Sequence, residues 1–77
     1  MTAKQFRESV EYAELMERIC SYPKGFTFTI RYFDMSERKA RAMKILMRDC
    51  EIARYIECVS VGLSIHGDLV EMEYKRI

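Results

Sequence analysis

The chain has 77 residues, of which 49% are apolar, and carries 13 lysines and arginines against 12 aspartates and glutamates. That length supports one domain, residues 1–77, with a thin core that buries roughly 60–65% of the surface the unfolded chain exposes. The near balance of charge excludes a global field that would draw the protein to nucleic acid or an anionic membrane, and the composition excludes a disordered chain.

The three cysteines, Cys20, Cys50 and Cys58, are odd in number and form no CxxC pair. A disulfide-stapled secreted domain would show more of them, in even number. A zinc site is not expected, because His66 is the single histidine and four closely placed ligands are needed. The thiols therefore read as reduced, small and apolar. No apolar leader follows Met1, and the uninterrupted apolar runs are too short to span a bilayer. The expected compartment is the cytoplasm.

Residues from Thr2 to about Ser21 read as a helix with Thr2 near its cap. Phe6, Val10, Ala13, Met16 and Cys20 form an apolar stripe, widened by Tyr12 and Ile19. Lys4–Glu8, Arg7–Glu11 and Glu14–Arg18 are opposite charges four residues apart on this helix. Tyr22-Pro23-Lys24-Gly25 ends it.

Phe26 to Phe33 alternates: Phe26, Phe28, Ile30 and Tyr32 face one way, Thr27, Thr29 and Arg31 the other. That is a strand with one buried face. Ser36 then caps a second helix that runs to about Tyr55, with Ala42, Met43, Leu46, Met47, Cys50 and Ala53 on its apolar side. No glycine or proline marks its end, so the change to alternation after Ile56 must set it.

Val59, Val61, Leu63 and Ile65 alternate, His66-Gly67-Asp68-Leu69 follows, and Val70, Met72 and Tyr74 alternate again. A two-residue type II′ turn at Gly67-Asp68 predicts a hairpin pairing Ile65 with Val70, Leu63 with Met72 and Val61 with Tyr74, all on the core face. The resulting fold class is α+β: order α-β-α-β-β, a two-layer sandwich with two helices on one face of a three-stranded, mainly antiparallel sheet. Placing the third strand between the first two makes the sheet antiparallel throughout; the order first-second-third stays open.

No arrangement in the sequence points to catalysis, to a cofactor or to a small-molecule substrate. Cys58 and His66 would lie about 26 Å apart along a strand, too far for a nucleophile and its base. Glu71 and Glu73 project from a flat sheet face rather than into a cleft. The glutamates of the first helix lack a calcium-type loop. The second helix carries a basic row, Arg38, Arg41, Lys44 and Arg48, of a size that could contact phosphates. A helix followed by a hairpin resembles the end of a winged-helix domain, with residues 59–76 as the wing. The additional helix that precedes the recognition helix in that family is missing here.

The functional expectation is a non-enzymatic protein-interaction or regulatory accessory module, of the kind small bacterial or phage proteins provide, acting as a homodimer or on a protein partner. Phe33, Ile45, Ile52 and Leu69 fall outside the core stripes and are the candidate interface residues. The first strand is the expected free edge, since Arg31 is its only charge. The alternative is a nucleic-acid-binding accessory factor using Arg38, Arg41, Lys44 and Arg48.

Overall fold

A computed structural model describes residues 2–77. The elements are α1 (Ala3–Arg7), α2 (Val10–Ser21), β1 (Thr27–Arg31), a 3-10 turn (Tyr32–Asp34), α3 (Glu37–Ile52), β2 (Ile56–Leu63) and β3 (Leu69–Arg76). The sheet order is β1-β3-β2, antiparallel throughout. The expected α+β class and the central position of the last strand are therefore both present. The helices cover the sheet face that carries Phe28, Ile30, Met72 and Tyr74, and the core between the layers holds Phe6, Ile19, Tyr32, Met43, Leu46, Met47, Cys50, Ile56 and Tyr74. Thr27, Thr29, Glu57, Ser60, Glu73 and Lys75 lie on the open face, directly opposite one another in the two ladders.

The first helix is two helices. Glu8 ends α1, and Ser9 takes an extended backbone and caps α2 through its side chain. Ser9 Oγ accepts from the Tyr12 amide at 3.1 Å and donates to the Phe6 carbonyl at 2.6 Å. A serine that satisfies the backbone on both sides offers an alternative to helix continuation. The break shifts the apolar phase: Tyr12, Leu15, Met16 and Ile19 face the core, whereas Val10 and Ala13, expected there, are exposed. None of the three ion pairs expected within this helix forms; Arg7 reaches Asp49 and Glu11 reaches Lys39, both on α3. Thr2 and Gln5 form a reciprocal capping box on α1.

β1 is shorter than the alternation predicts, five residues rather than eight. Phe26 precedes it, partly exposed against Tyr22, and Tyr32 leaves it for the 3-10 turn. α3 begins at the expected cap, Ser36, whose Oγ accepts from the Lys39 amide. It stops three residues before Tyr55 through a Schellman motif: the Arg54 amide donates to the Glu51 carbonyl and the Tyr55 amide to the Cys50 carbonyl. Arg54 stands where glycine is usual, with φ of 61°. Ala53, expected on the apolar side, is the exposed C-cap.

The hairpin register is the largest departure. Val61 lies opposite Met72, not Tyr74; Cys58 takes Tyr74, and Leu63 lies opposite Leu69. Two irregularities produce the shift, an extra residue at Val59 on β2 and another at Val70 on β3. The connection is a five-residue loop, Ser64–Asp68, not a two-residue turn. Ser64 closes it: its amide donates to the Asp68 carbonyl, and its Oγ accepts from the amides of His66 and Asp68. A serine satisfying three backbone bonds outweighs the glycine-first turn signal.

Because a non-glycine residue at positive φ costs about 1 kcal/mol, Arg54→Gly is expected to stabilise the fold by roughly 0.5–1 kcal/mol. A higher urea midpoint with unchanged slope is the readout; a lower midpoint would mean that the Arg54 side chain contributes more than the strain removes.

Candidate functional site

Two exposed surfaces and one half-buried polar cluster are candidates. On α3, Arg38, Arg41, Lys44 and Arg48 are all exposed, so the basic row predicted from the sequence lies on the solvent side of the helix. Part of its charge is engaged. Arg41 lies 3.6 Å from Glu37, and Lys44 Nζ sits 5.4 Å from the centre of the Tyr32 ring. Arg38 and Arg41 line a shallow open groove of about 270 Å³ with Thr2, Phe6, Ala42 and Ile45.

The second surface is apolar and was placed in the core by the sequence pattern. Along β2 and its loop, Val59, Val61, Leu63 and Ile65 are 50%, 52%, 60% and 97% exposed. β2 is an edge strand, so one side of its backbone has no strand partner. The helical layer covers its beginning, where Ile56 is buried, and does not reach its end. Of the four interface candidates, Phe33 and Ile52 are exposed, while Ile45 and Leu69 are half-buried against the core. The signal missed in the sequence is Ser64, whose hydroxyl ends the strand and carries Ile65 out into a loop.

The half-buried polar cluster joins the helices. Asp49 accepts from Arg7 Nε at 2.8 Å, from Arg7 Nη2 at 2.9 Å and from the Tyr12 hydroxyl at 2.7 Å. The Arg7 hydrogen bonds hold the Asp49 carboxyl below the usual aspartate value; desolvation opposes them and the Tyr12 hydroxyl adds to them. Burial, with the Asp49 carboxylate beside it, pushes the Tyr12 phenol up to about 12. This is a structural clasp, since every strong donor around Asp49 is already engaged.

Two of the three thiols, Cys50 and Cys58, are poor nucleophiles. Burial, reinforced by nearby Cys20, pushes Cys50 up to about 11, and its Sγ donates to Met16 Sδ at 3.5 Å. Burial also raises Cys58, whose Sγ donates to the Ser60 carbonyl. Among the described residues no three His, Cys, Asp or Glu side chains group to hold a metal ion. No helix among them is long and apolar enough to cross a membrane. No family model, curated protein or solved structure matches the chain.

Because the Asp49 value is depressed in the fold, the stability it contributes is present above the ordinary aspartate value and lost as pH falls through the folded one. Urea midpoints are expected to fall below about pH 4. Asp49→Asn should cost about 1–2 kcal/mol at pH 7 and flatten that acid limb; an unchanged acid limb in the variant would assign the acid sensitivity elsewhere. Native thiol labelling counted by mass should modify Cys20 and Cys58 before Cys50, which is fully buried. Equal rates for all three would contradict that packing.

Proposed function

We propose that this chain is a non-enzymatic protein-interaction module of the cytoplasm that self-associates. The observation that carries the reading is the apolar row Val59, Val61, Leu63 and Ile65 on an open edge strand. Apolar side chains beside unpaired backbone groups form a surface that another polypeptide covers at low cost, gaining burial and main-chain hydrogen bonds together. The first strand, expected from the sequence to be the edge that pairs, is the shorter of the two edges and lacks this row. A reducing compartment suits three cysteines that are half-buried or buried and carry free thiols.

Sedimentation equilibrium over a hundredfold concentration range tests the reading. The expected result is a mass that rises above 9.2 kDa with concentration. A constant monomer mass to high micromolar would remove self-association from the proposal.

A second reading is favoured by one observation, the exposed basic row on α3. In that reading Arg38, Arg41, Lys44 and Arg48 contact the phosphates of duplex nucleic acid, and binding weakens steeply with salt. Between β1 and α3 the chain has a single 3-10 turn rather than the further helix of a winged-helix domain, so docking would rest on α3 alone. Replacing Arg41, Lys44 and Arg48 together by glutamine should abolish duplex binding and leave the circular dichroism unchanged. Absence of binding by the parent at low salt rejects this reading.

A further inference from the structure

The dimensions of the molecule say how much surface is left over. Its radius of gyration is 12.5 Å and its extents are 34 × 32 × 19 Å, against a radius of about 11.5 Å for a typical domain of this length. The accessible surface is 5457 Å², roughly 500 Å² more than the mass law for folded monomers gives. A standard interface removes about 800 Å² from each partner, and in homodimers about 65% of the buried core is apolar. The surplus is of the order of one partner's share of such an interface, and the largest run of exposed apolar side chains lies along β2 and its loop.

The partner that fits is a second copy of this chain. β2 carries one charge, Glu57, and the whole chain has a net charge of +1, so no repulsion opposes a symmetric contact. The ladder to β3 is regular from Ile56 to Cys58 and again from Ser60 to Gly62, and the second stretch, between the extra residues at Val59 and Val70, is the one among the exposed apolar side chains. Val61 is the centre of that regular segment. We infer that two copies pair β2 with β2, antiparallel, about a two-fold axis through Val61, making one six-stranded sheet. This inference rests on the self-association reading and names its surface and register.

The register follows from the pairs it creates. With Val61 opposite Val61 of the second copy, Val59 lies opposite Leu63 and Leu63 opposite Val59. Every apolar side chain of the strand's exposed end then meets another, and Glu57 falls beyond the end of the partner strand, where its carboxylate stays in water. Shifting the axis to Ser60 would set Glu57 against Leu63 and desolvate it beside an apolar group. Residues directly opposite in such a ladder share a face, so the helix-side face, where Val61 continues the row of Met72 and Ile30, becomes continuous across the axis.

Two variants test this against a parent that associates. Val61→Lys sets two ammonium groups opposite each other at the axis and removes two buried valines; the dimer dissociation constant should rise at least about a hundredfold. Val61→Cys should form an intermolecular disulfide under copper–phenanthroline, since directly opposed Cα atoms lie about 4.5–5.5 Å apart, within disulfide reach. Val10→Lys and Val10→Cys, at an exposed position on α2, are the controls and should neither dissociate the dimer nor cross-link beyond the parent. A dimer that survives Val61→Lys, or a Val61→Cys variant that cross-links no better than Val10→Cys, overturns the β2 pairing while leaving self-association standing. A parent that stays monomeric removes both.

Discussion

Tyr74 on the central strand is the residue around which the two layers are built. It is the largest fully buried side chain, opposite Phe28 on one side and Cys58 on the other. Its ring stacks on Phe28 with centroids 5.7 Å apart. A buried phenol needs a partner for its hydroxyl, and Tyr32 supplies one at 3.0 Å. Burial holds both phenols above the ordinary tyrosine value, so both stay protonated and able to bond each other. Tyr32 can be there only because the chain leaves β1 in a 3-10 turn, and that turn leads directly into the Ser36 cap of α3. The short β1, the start of the long helix and the centre of the sheet are therefore one arrangement.

A second constraint acts at the other end of β3. Arg76 donates to the carbonyl of Tyr55 at 3.0 Å and to that of Cys20 at 3.4 Å, and its guanidinium lies 5.9 Å from the Tyr55 ring centre. It joins the end of α2, the turn after α3 and the last strand. With the clasp of Arg7, Tyr12 and Asp49 between the helices, two arginines from opposite ends of the chain hold its outer elements. Engaged in this way, they are not available as a mobile basic surface.

What could be read from the sequence depended on whether one local rule acted alone. α3 was legible because cap and periodicity agreed, and three half-apolar strands under one helical layer implied the two-layer class; the strand order stayed open, the central third strand being favoured only because it makes the sheet antiparallel throughout. The failures share a cause, a serine or an arginine that uses a hydrogen bond where side-chain pattern suggests continuation. Ser9 splits a helix whose apolar period runs through it. Ser64 replaces a tight turn by a five-residue loop, and Arg54 ends α3 in a conformation normally left to glycine. The candidate surface was hidden for a different reason: alternation in Val59, Val61 and Leu63 reports a strand face, but whether a helix lies over that face depends on where the helices end. Pattern identifies the apolar side and is silent about its cover. The α3 row was legible because a charged side chain at helical spacing opposite an apolar stripe has only water to face.

The strand order also governs the way the molecule can be made. β1 bonds to nothing except β3, with Thr27 opposite Lys75, so its pairing spans almost fifty residues. Until β3 is available, β1 and β2 have no common neighbour, and the helices have only half a surface on which to settle. Long-range pairing of that kind slows folding, because loop closure costs entropy before any contact repays it. During synthesis β1 remains unpaired until β3 exists, whereas β2 and β3, joined by a five-residue loop, can pair as a hairpin as soon as both have emerged. The order of assembly is thus a property of connectivity: the latest strand, in the middle of the sheet, must be in place before the earliest one has a partner.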